Sequence, residues 1–401
     1  MTPAHLCHVE LSRSESRHSL PQSTRIVPRS GERGYGNQRR PIIFRLARSR
    51  QRLHNRDMQG SYFTRWLLAL LLISSGSFVV AEEKTPAPQP PISLPSFTAP
   101  NIPTITLGGE QFWSDELVRN GWRLQVNAMT GHHRLLDDQD VRRAWGSHGQ
   151  CHAKFAEIVR AEKWPPVKKK VVITLHGLIR SREAMEGIGA FLEKEGAYEW
   201  VNVGYASTRR TIDQHAESLA KIIAGLEGAE EINFVCHSLG NIIVRRYLGE
   251  ATAAEPKWQP DRRIGRFVML GPPNNGAELA KKFIGNKVVA MVIGPSGKQL
   301  SRDWETVSTK LAVPYCEFGI IAGGNGSEGG LNPLIAGDDD WIVSVAETRL
   351  PGACDFRCVN LLHGQLMNDP QVQRYVLKFL QTGCFESRDA RQPITAPQMA
   401  K

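Results

Sequence analysis

Three residue types, in one order along the chain, carry the chemistry. Ser238 lies in VCHSLG, a run of three acids (Asp338, Asp339 and Asp340) lies in GDDDWIV, and His363 lies in LLHGQLM. A serine hydroxyl is a poor nucleophile until a base removes its proton, and the base works best when a carboxylate orients its ring and stabilises the resulting cation. The chemistry that needs these three types is acyl transfer through a covalent serine intermediate. Ser238 stands between the apolar run Ile232–Cys236 and a helical stretch from about Leu239, so the spacing predicts a sharp strand-to-helix turn that lifts the hydroxyl out of the fold. Gly240 supplies one small neighbour for such a turn. Cys236 occupies the other small position of the G-x-S-x-G pattern, and is compact but larger than Gly. A serine N-cap is the competing reading of the same stretch.

His363 is the one histidine after Ser238. It follows a short apolar strand and precedes an amphipathic helix, which places it in a loop at a strand's carboxyl end. The acid falls between serine and histidine. Asp340 directly precedes Trp341-Ile342-Val343 and is favoured, with Asp339 next and Asp338 beside them; Asp303 and Asp355 fit the order less well. Acyl transfer also needs donors for an oxyanion. The amide of Leu239 follows the nucleophile, and VVITLHGL ends a strand in His176-Gly177-Leu178, where Gly177 lets the backbone approach and the Leu178 amide can point inward. His176 reads as a residue that shapes this loop.

The elements that must position these groups alternate regularly. Val171–Leu175, Trp200–Gly204, Ile232–Cys236, Phe267–Leu270 and Phe318–Ala322 are β-branched apolar runs without a polar face, as strands covered on both sides are. Between them, Ile212, Ala216, Leu219, Ile223 and Leu226 share one helical face; Val372, Tyr375, Val376, Phe379 and Leu380 share another. Strand-helix alternation predicts an α/β fold, a mostly parallel central sheet flanked by helices. Ligands in such sheets bind outside the carboxyl ends of the strands, and each motif above falls at such an end.

Taken together, VVITLHGL, VCHSLG, GPPNNGAELA, GDDDWIV and LLHGQLM resemble the α/β-hydrolase superfamily, in particular its secreted lipases and esterases, over roughly residues 168–383. The resemblance implies a triad borne by Ser238, Asp340 and His363, an oxyanion hole made by the amides of Leu178 and Leu239, a small-molecule or lipid ester substrate, and no cofactor. Two positions depart from the family's pattern: Cys236 stands where Gly is usual, and the acid loop reads Asp-Asp-Asp-Trp where Asp-Gly is commoner. The segment from Ala280 to Trp304, with its mixture of Val, Met, Ile and Lys, corresponds to the region that carries a cap in similar lipases; an ordinary pair of surface helices is the alternative. The same triad would serve a thioesterase, an amidase or an acyltransferase, and the fold also hosts silent binding modules.

The remainder of the chain is organised around export. Residues 1–57 hold twelve Arg and four acidic residues, and so account for +8 of the formal +10; what is left, about +2, gives no basis for a nucleic-acid partner. This basic segment reads as a mis-called or disordered extension. MQGSYFTRWLLALLLISSGSFVVAEE then has a positively charged start, an apolar run Trp66–Ile73 and small residues up to Ala81, the order of a secretory signal peptide over 58–81. Its apolar run is short of the roughly 20 residues of a membrane span, so an exported protein, periplasmic or extracellular, without a stable span after cleavage is expected. Residues 82–105 are a Pro-rich linker with seven Pro in the twenty residues from Lys84. Residues 106–167 form an N-terminal extension of the hydrolase domain, with a hairpin in WRLQVNAMTGHHRLLD; this extension adds strands to the sheet or covers the site. The hydrolase domain follows over 168–385 and a tail over 386–401. Cys236 reads as a packed free thiol, and the five other exported cysteines allow at most two bridges.

Overall fold

The computed structural model describes residues 104–105 and 110–395, except 284; the basic extension, the signal segment and the Pro-rich stretch up to residue 103 lie outside the described residues. The first five strands are β1 (Thr104–Ile105), β2 (Trp113–Arg119), β3 (Trp122–Asn127), β4 (His133–Leu136) and β5 (Val141–Gly146). They pair antiparallel in the order β1-β5-β4-β3-β2. Asn120 and Gly121, both at positive φ, make the tight turn between β2 and β3. Helix α1 (His148–Ala161) starts at a reciprocal capping box between Ser147 and Gln150. It lays Cys151 and Phe155 on Leu124, Leu135 and Ala144, a small core of its own. The described residues of the 106–167 segment therefore build a separate sheet and add no strand to the parallel one.

The second sheet has six strands: β6 (Lys170–Leu175), β7 (Glu199–Val203), β8 (Glu231–His237), β9 (Ile264–Leu270), β10 (Glu317–Gly323) and β11 (Asp355–Val359). All pair parallel, in the order β11-β10-β9-β8-β6-β7. The expected strands are present, with ends differing by up to three residues. Strand order reverses direction where β6 lies between β7 and β8, the switch point beside which a ligand crevice opens.

Successive strand residues point to opposite faces, and both faces are covered. Val171, Ile173, Phe234 and Cys236 pack against helices α3 (Ile212–Ala224) and α4 (Leu239–Ala251) through Ile212, Leu219, Ile242 and Ile243. Val172, Val235, Val268 and Ile321 pack on the other face against α2 (Glu186–Gly196) and α9 (Pro370–Thr382) through Ile188, Leu192, Val372, Val376 and Phe379. Each such fully buried aliphatic side chain contributes roughly 1.5–3 kcal/mol. Between β9 and β10 run α5 (Glu278–Phe283), α6 (Lys287–Ser301) and α7 (Trp304–Ser308), with α6 broken at Gly294-Pro295. The short α8 (Val345–Thr348) follows the acid loop.

The two sheets meet at Gly204, just past β7. The Asp115 amide donates to the Gly204 carbonyl (2.9 Å), and the Asp115 carboxylate accepts from the Gly204 amide (2.7 Å). Arg123 (2.5 Å) and Gln125 (2.8 Å) pair the same buried carboxylate. The six described cysteines are all free thiols, with Cys236 fully buried between β8 and the α4 face.

Candidate active site

Ser238 sits at the corner between β8 and α4 with φ 53° and ψ −120°. For a residue with a Cβ this is a sparsely populated conformation that the surrounding structure must hold in place. The hold is visible. The Ser238 amide donates to Leu270 O on the adjacent strand (2.9 Å), and Asn241 donates to Ser238 O through its amide (3.1 Å) and its side chain (3.0 Å). The Ser238 side chain caps no helix amide, so the N-cap reading of this serine has no bond to support it. Gly240 is required by close approach: a Cβ there would lie 2.8 Å from both Cβ and O of Leu175. Cys236 is fully buried in the core beneath the turn, in the same apolar cluster as Leu175 and Leu239.

His363 lies in the loop after β11. Its Nδ1 donates to Asp340 Oδ2 (2.7 Å), and its amide donates to Asp340 O (2.9 Å), so ring and backbone are held by one residue. Asp340 is fully buried, and its other oxygen accepts from the amides of Ile342 (3.1 Å) and Val343 (2.8 Å). The neighbouring acids turn elsewhere. Asp339 is fully buried and accepts from the amides of Leu331 (2.8 Å), Asn332 (3.1 Å) and Trp341 (2.7 Å). Asp338 accepts from Asn325 (2.8 Å) and Gly326 (3.1 Å). Asp303 pairs with Lys298 (3.5 Å), and Asp355 accepts from Phe385 (2.8 Å) and Gln392 (3.0 Å). Backbone amides thus resolve a triple-acid run into one carboxylate facing the imidazole and two that fold the loop.

The serine corner and the imidazole converge on Gly271. Its amide donates to Ile321 O (2.9 Å), it has φ 51°, and a Cβ there would lie 3.0 Å from Cε1 and Nδ1 of His363. The His363 ring therefore rests over the residue next to Leu270, the acceptor of the Ser238 amide. Gly177 closes the other side: a Cβ there would lie 3.1 Å from Ser238 Cβ and 2.9 Å from His237 Nδ1. Leu178 is partly buried and Leu239 fully buried, and neither backbone amide has an acceptor among the described residues. Leu178 follows the carboxyl end of β6, one residue past Gly177, and Leu239 follows Ser238 at the end of β8.

The Gly177–Arg180 turn is strained. Ile179, a β-branched residue, has φ 62°; Arg180 N donates to Gly177 O (3.3 Å) and Ile179 N to Ser207 Oγ (3.0 Å). Three more histidines surround the site, all buried. His176 stacks on Tyr205 (ring centroids 4.0 Å apart), whose hydroxyl donates to His176 O, and burial pushes the His176 imidazole down to about 4. His215 packs edge-on against Tyr205 (4.8 Å) and is held well below the usual histidine range by burial, then by Arg210 and His176. His237 donates from Nε2 to His363 O (2.9 Å), and burial followed by the nearby His363 pushes its ring well down. The sequence reading gave no role to His237, although it lies beside Ser238 in VCHSLG, nor to Ser207, whose partner Ile179 lies 28 residues away.

No protein-family profile matches the chain, and no curated protein sequence matches it. Among solved structures it is similar to the product of gene lin2722 from Listeria innocua at 16% identity (TM-score 0.38, covering 54% of this chain and 95% of that one). It is also similar to phospholipase PlaB from Legionella pneumophila at 17% identity (TM-score 0.34, 45% of each chain). Aspergillus fumigatus lipase B matches at 12% identity (TM-score 0.37, 55% of this chain and 54% of that one). The chain thus spans about half the length of the last two.

Proposed function

We propose that this chain, which has the α/β-hydrolase fold, is a serine hydrolase that cleaves carboxylic esters. The observation that carries the reading is the 2.7 Å contact between His363 Nδ1 and the buried Asp340, in a ring that lies over Gly271, the residue after the Leu270 carbonyl that accepts from the Ser238 amide. With Nδ1–H given to a carboxylate, Nε2 is the basic nitrogen, and Asp340 stabilises the cation that forms when it takes a proton. Ser238 Oγ attacks the ester carbonyl as His363 removes its proton. The tetrahedral oxyanion rests on the amides of Leu178 and Leu239, which have no other acceptor among the described residues. The alkoxide leaves with the proton from His363. Water, activated by the same base, then releases the acid and restores the serine.

The runner-up chemistries with the same triad differ in leaving group or acceptor, and comparing ester, thioester and amide substrates separates them. Turnover of p-nitrophenyl esters by the full-length protein, beside Ser238→Ala, tests the main reading; equal rates in the two proteins sink it. A fluorophosphonate probe should label the folded protein at Ser238, as read by peptide mass mapping, and absence of label favours a silent binding module. Export is part of the same proposal and rests on the 58–81 segment; recovery of a mature end near Glu82 outside the cytoplasm tests it.

A further inference from the structure

The strained turn that carries the Leu178 amide is held by side chains from the loop after β7 and from the N-terminal segment. Ser207 Oγ accepts from the Ile179 amide (3.0 Å) and donates to Gln111 Oε1 (3.1 Å). Thr208 Oγ1 donates to the same oxygen (3.2 Å). Gln111 Nε2 reaches across to donate to Arg180 O (2.8 Å). One carboxamide thus grips the turn at residue 180 directly and at residue 179 through a serine. Leu178 lies between this grip and Gly177, which is pressed against the Ser238 corner.

We infer that Gln111 is a positioning residue for the oxyanion hole: with Ser207 it fixes the Gly177–Arg180 turn so that the Leu178 amide faces the tetrahedral oxygen. The inference rests on the serine-hydrolase reading above. Its physical basis is that a hydroxyl and a carboxamide, each with donor and acceptor used, hold a residue at positive φ that would otherwise relax. An oxyanion donor acts only where it is preorganised toward the charge that develops in the transition state. Displacement of such a donor therefore lowers kcat and leaves ground-state binding almost unchanged.

The test uses Gln111→Glu, Gln111→Ala and Ser207→Ala in the full-length protein. Gln111→Glu keeps size and both acceptor bonds but sets a carboxylate oxygen against Arg180 O in place of a donor. Gln111 is only partly buried, so the fold tolerates the two changes at that position. We expect kcat to fall on the order of 10-fold or more, as for misplacements of an ångström near a reacting centre, with KM within about twofold. The inhibition constant of a trifluoromethyl ketone, which binds as a tetrahedral oxyanion, should rise in step with the loss of kcat. That of the matching methyl ketone should stay put. Wild-type kcat in all three variants overturns the inference, as does a fall in kcat with unchanged affinity for the trifluoromethyl ketone. Ser238→Ala run alongside keeps the two readings apart: a wild-type rate equal to that of Ser238→Ala removes the serine-hydrolase reading, whereas an active wild type with active Gln111 variants removes only the role of Gln111.

Discussion

His237 holds His363 by its backbone: Nε2 of the first donates to the main-chain carbonyl of the second at 2.9 Å, with the two rings 4.5 Å apart. A carbonyl only accepts, so His237 carries its proton on Nε2, and its Nδ1 has no partner among the described residues. The residue before the serine thereby fixes the loop that bears the imidazole. Replacement by Leu removes that bond, and kcat for p-nitrophenyl acetate should fall on the order of 10-fold. His237→Gln, which can still donate, should recover part of it. Equal rates for Leu and Gln would show that the bond does not position His363.

The acid loop gives a sharp contrast between neighbours. Asp340→Asn should lower kcat by on the order of 10³–10⁴, because the carboxamide favours the wrong tautomer of His363 and stabilises no cation. Asp339→Asn should act on stability instead, because that carboxylate accepts three backbone amides. Its cost should be about 1–3 kcal/mol in urea unfolding, with kcat close to wild type. A reversal of the two phenotypes would reassign the acid.

Ser238 holds a conformation that suits glycine better than any residue with a Cβ. The strain is of order 1–3 kcal/mol, and the extra freedom of glycine in the unfolded chain offsets about 0.4–1 kcal/mol of its relief. Ser238→Gly should therefore be more stable than Ser238→Ala by about 1 kcal/mol, and both should be inactive. Urea midpoints compare them directly, and a less stable Gly variant would mean that the corner is not strained.

Acid should destabilise the protein before its carboxylates titrate. His176, His215 and His237 have folded values below the ordinary 6.5, chiefly through burial, with His176 at about 4. In the unfolded chain they take protons as pH falls through about 6.5; in the folded chain they stay neutral. Their contribution to stability is therefore complete above about pH 6.5 and lost as pH falls toward the folded values, for His176 on the order of 3 kcal/mol by pH 4. Both ring nitrogens of His215 lack partners among the described residues. His215→Leu should thus flatten the acid limb of a stability profile between pH 6.5 and 4.5, measured by thermal melts. An unchanged limb would show that His215 does not contribute to it.

The parallel sheet was legible because each of its central strands is buried on both faces and so appears as an unbroken apolar run. The order Ser238, acid, His363 was legible because topology brings loops at the carboxyl ends together whatever their spacing. The choice within Asp338-Asp339-Asp340 was open in the sequence, since only the paths of the Asn325–Asn332 backbone decide which carboxylates are occupied. The N-terminal sheet was hardest to read. β2 buries Ser114, Asp115 and Glu116, which break the expected alternation. Their burial is compensated by Arg123, Gln125 and, for Glu116, by Lys221 (2.6 Å) more than a hundred residues away. No local pattern encodes a polar strand whose partners are so remote.

That seam has a consequence for how the molecule comes apart. The Asp115 carboxylate is fully buried and satisfied from both sheets at once, by Arg123 and Gln125 on one side and the Gly204 amide on the other. Parting the sheets would break both Asp115–Gly204 bonds and the bond from Arg123 to Asn202 O (2.8 Å) together, at roughly 0.5–3 kcal/mol each. The antiparallel layer is thus a permanent partner in the folding unit: calorimetric melting should give one peak across both sheets, and a chain begun at Lys168 should inherit the Ser238, Asp340 and His363 motifs without the cooperativity that keeps them in register.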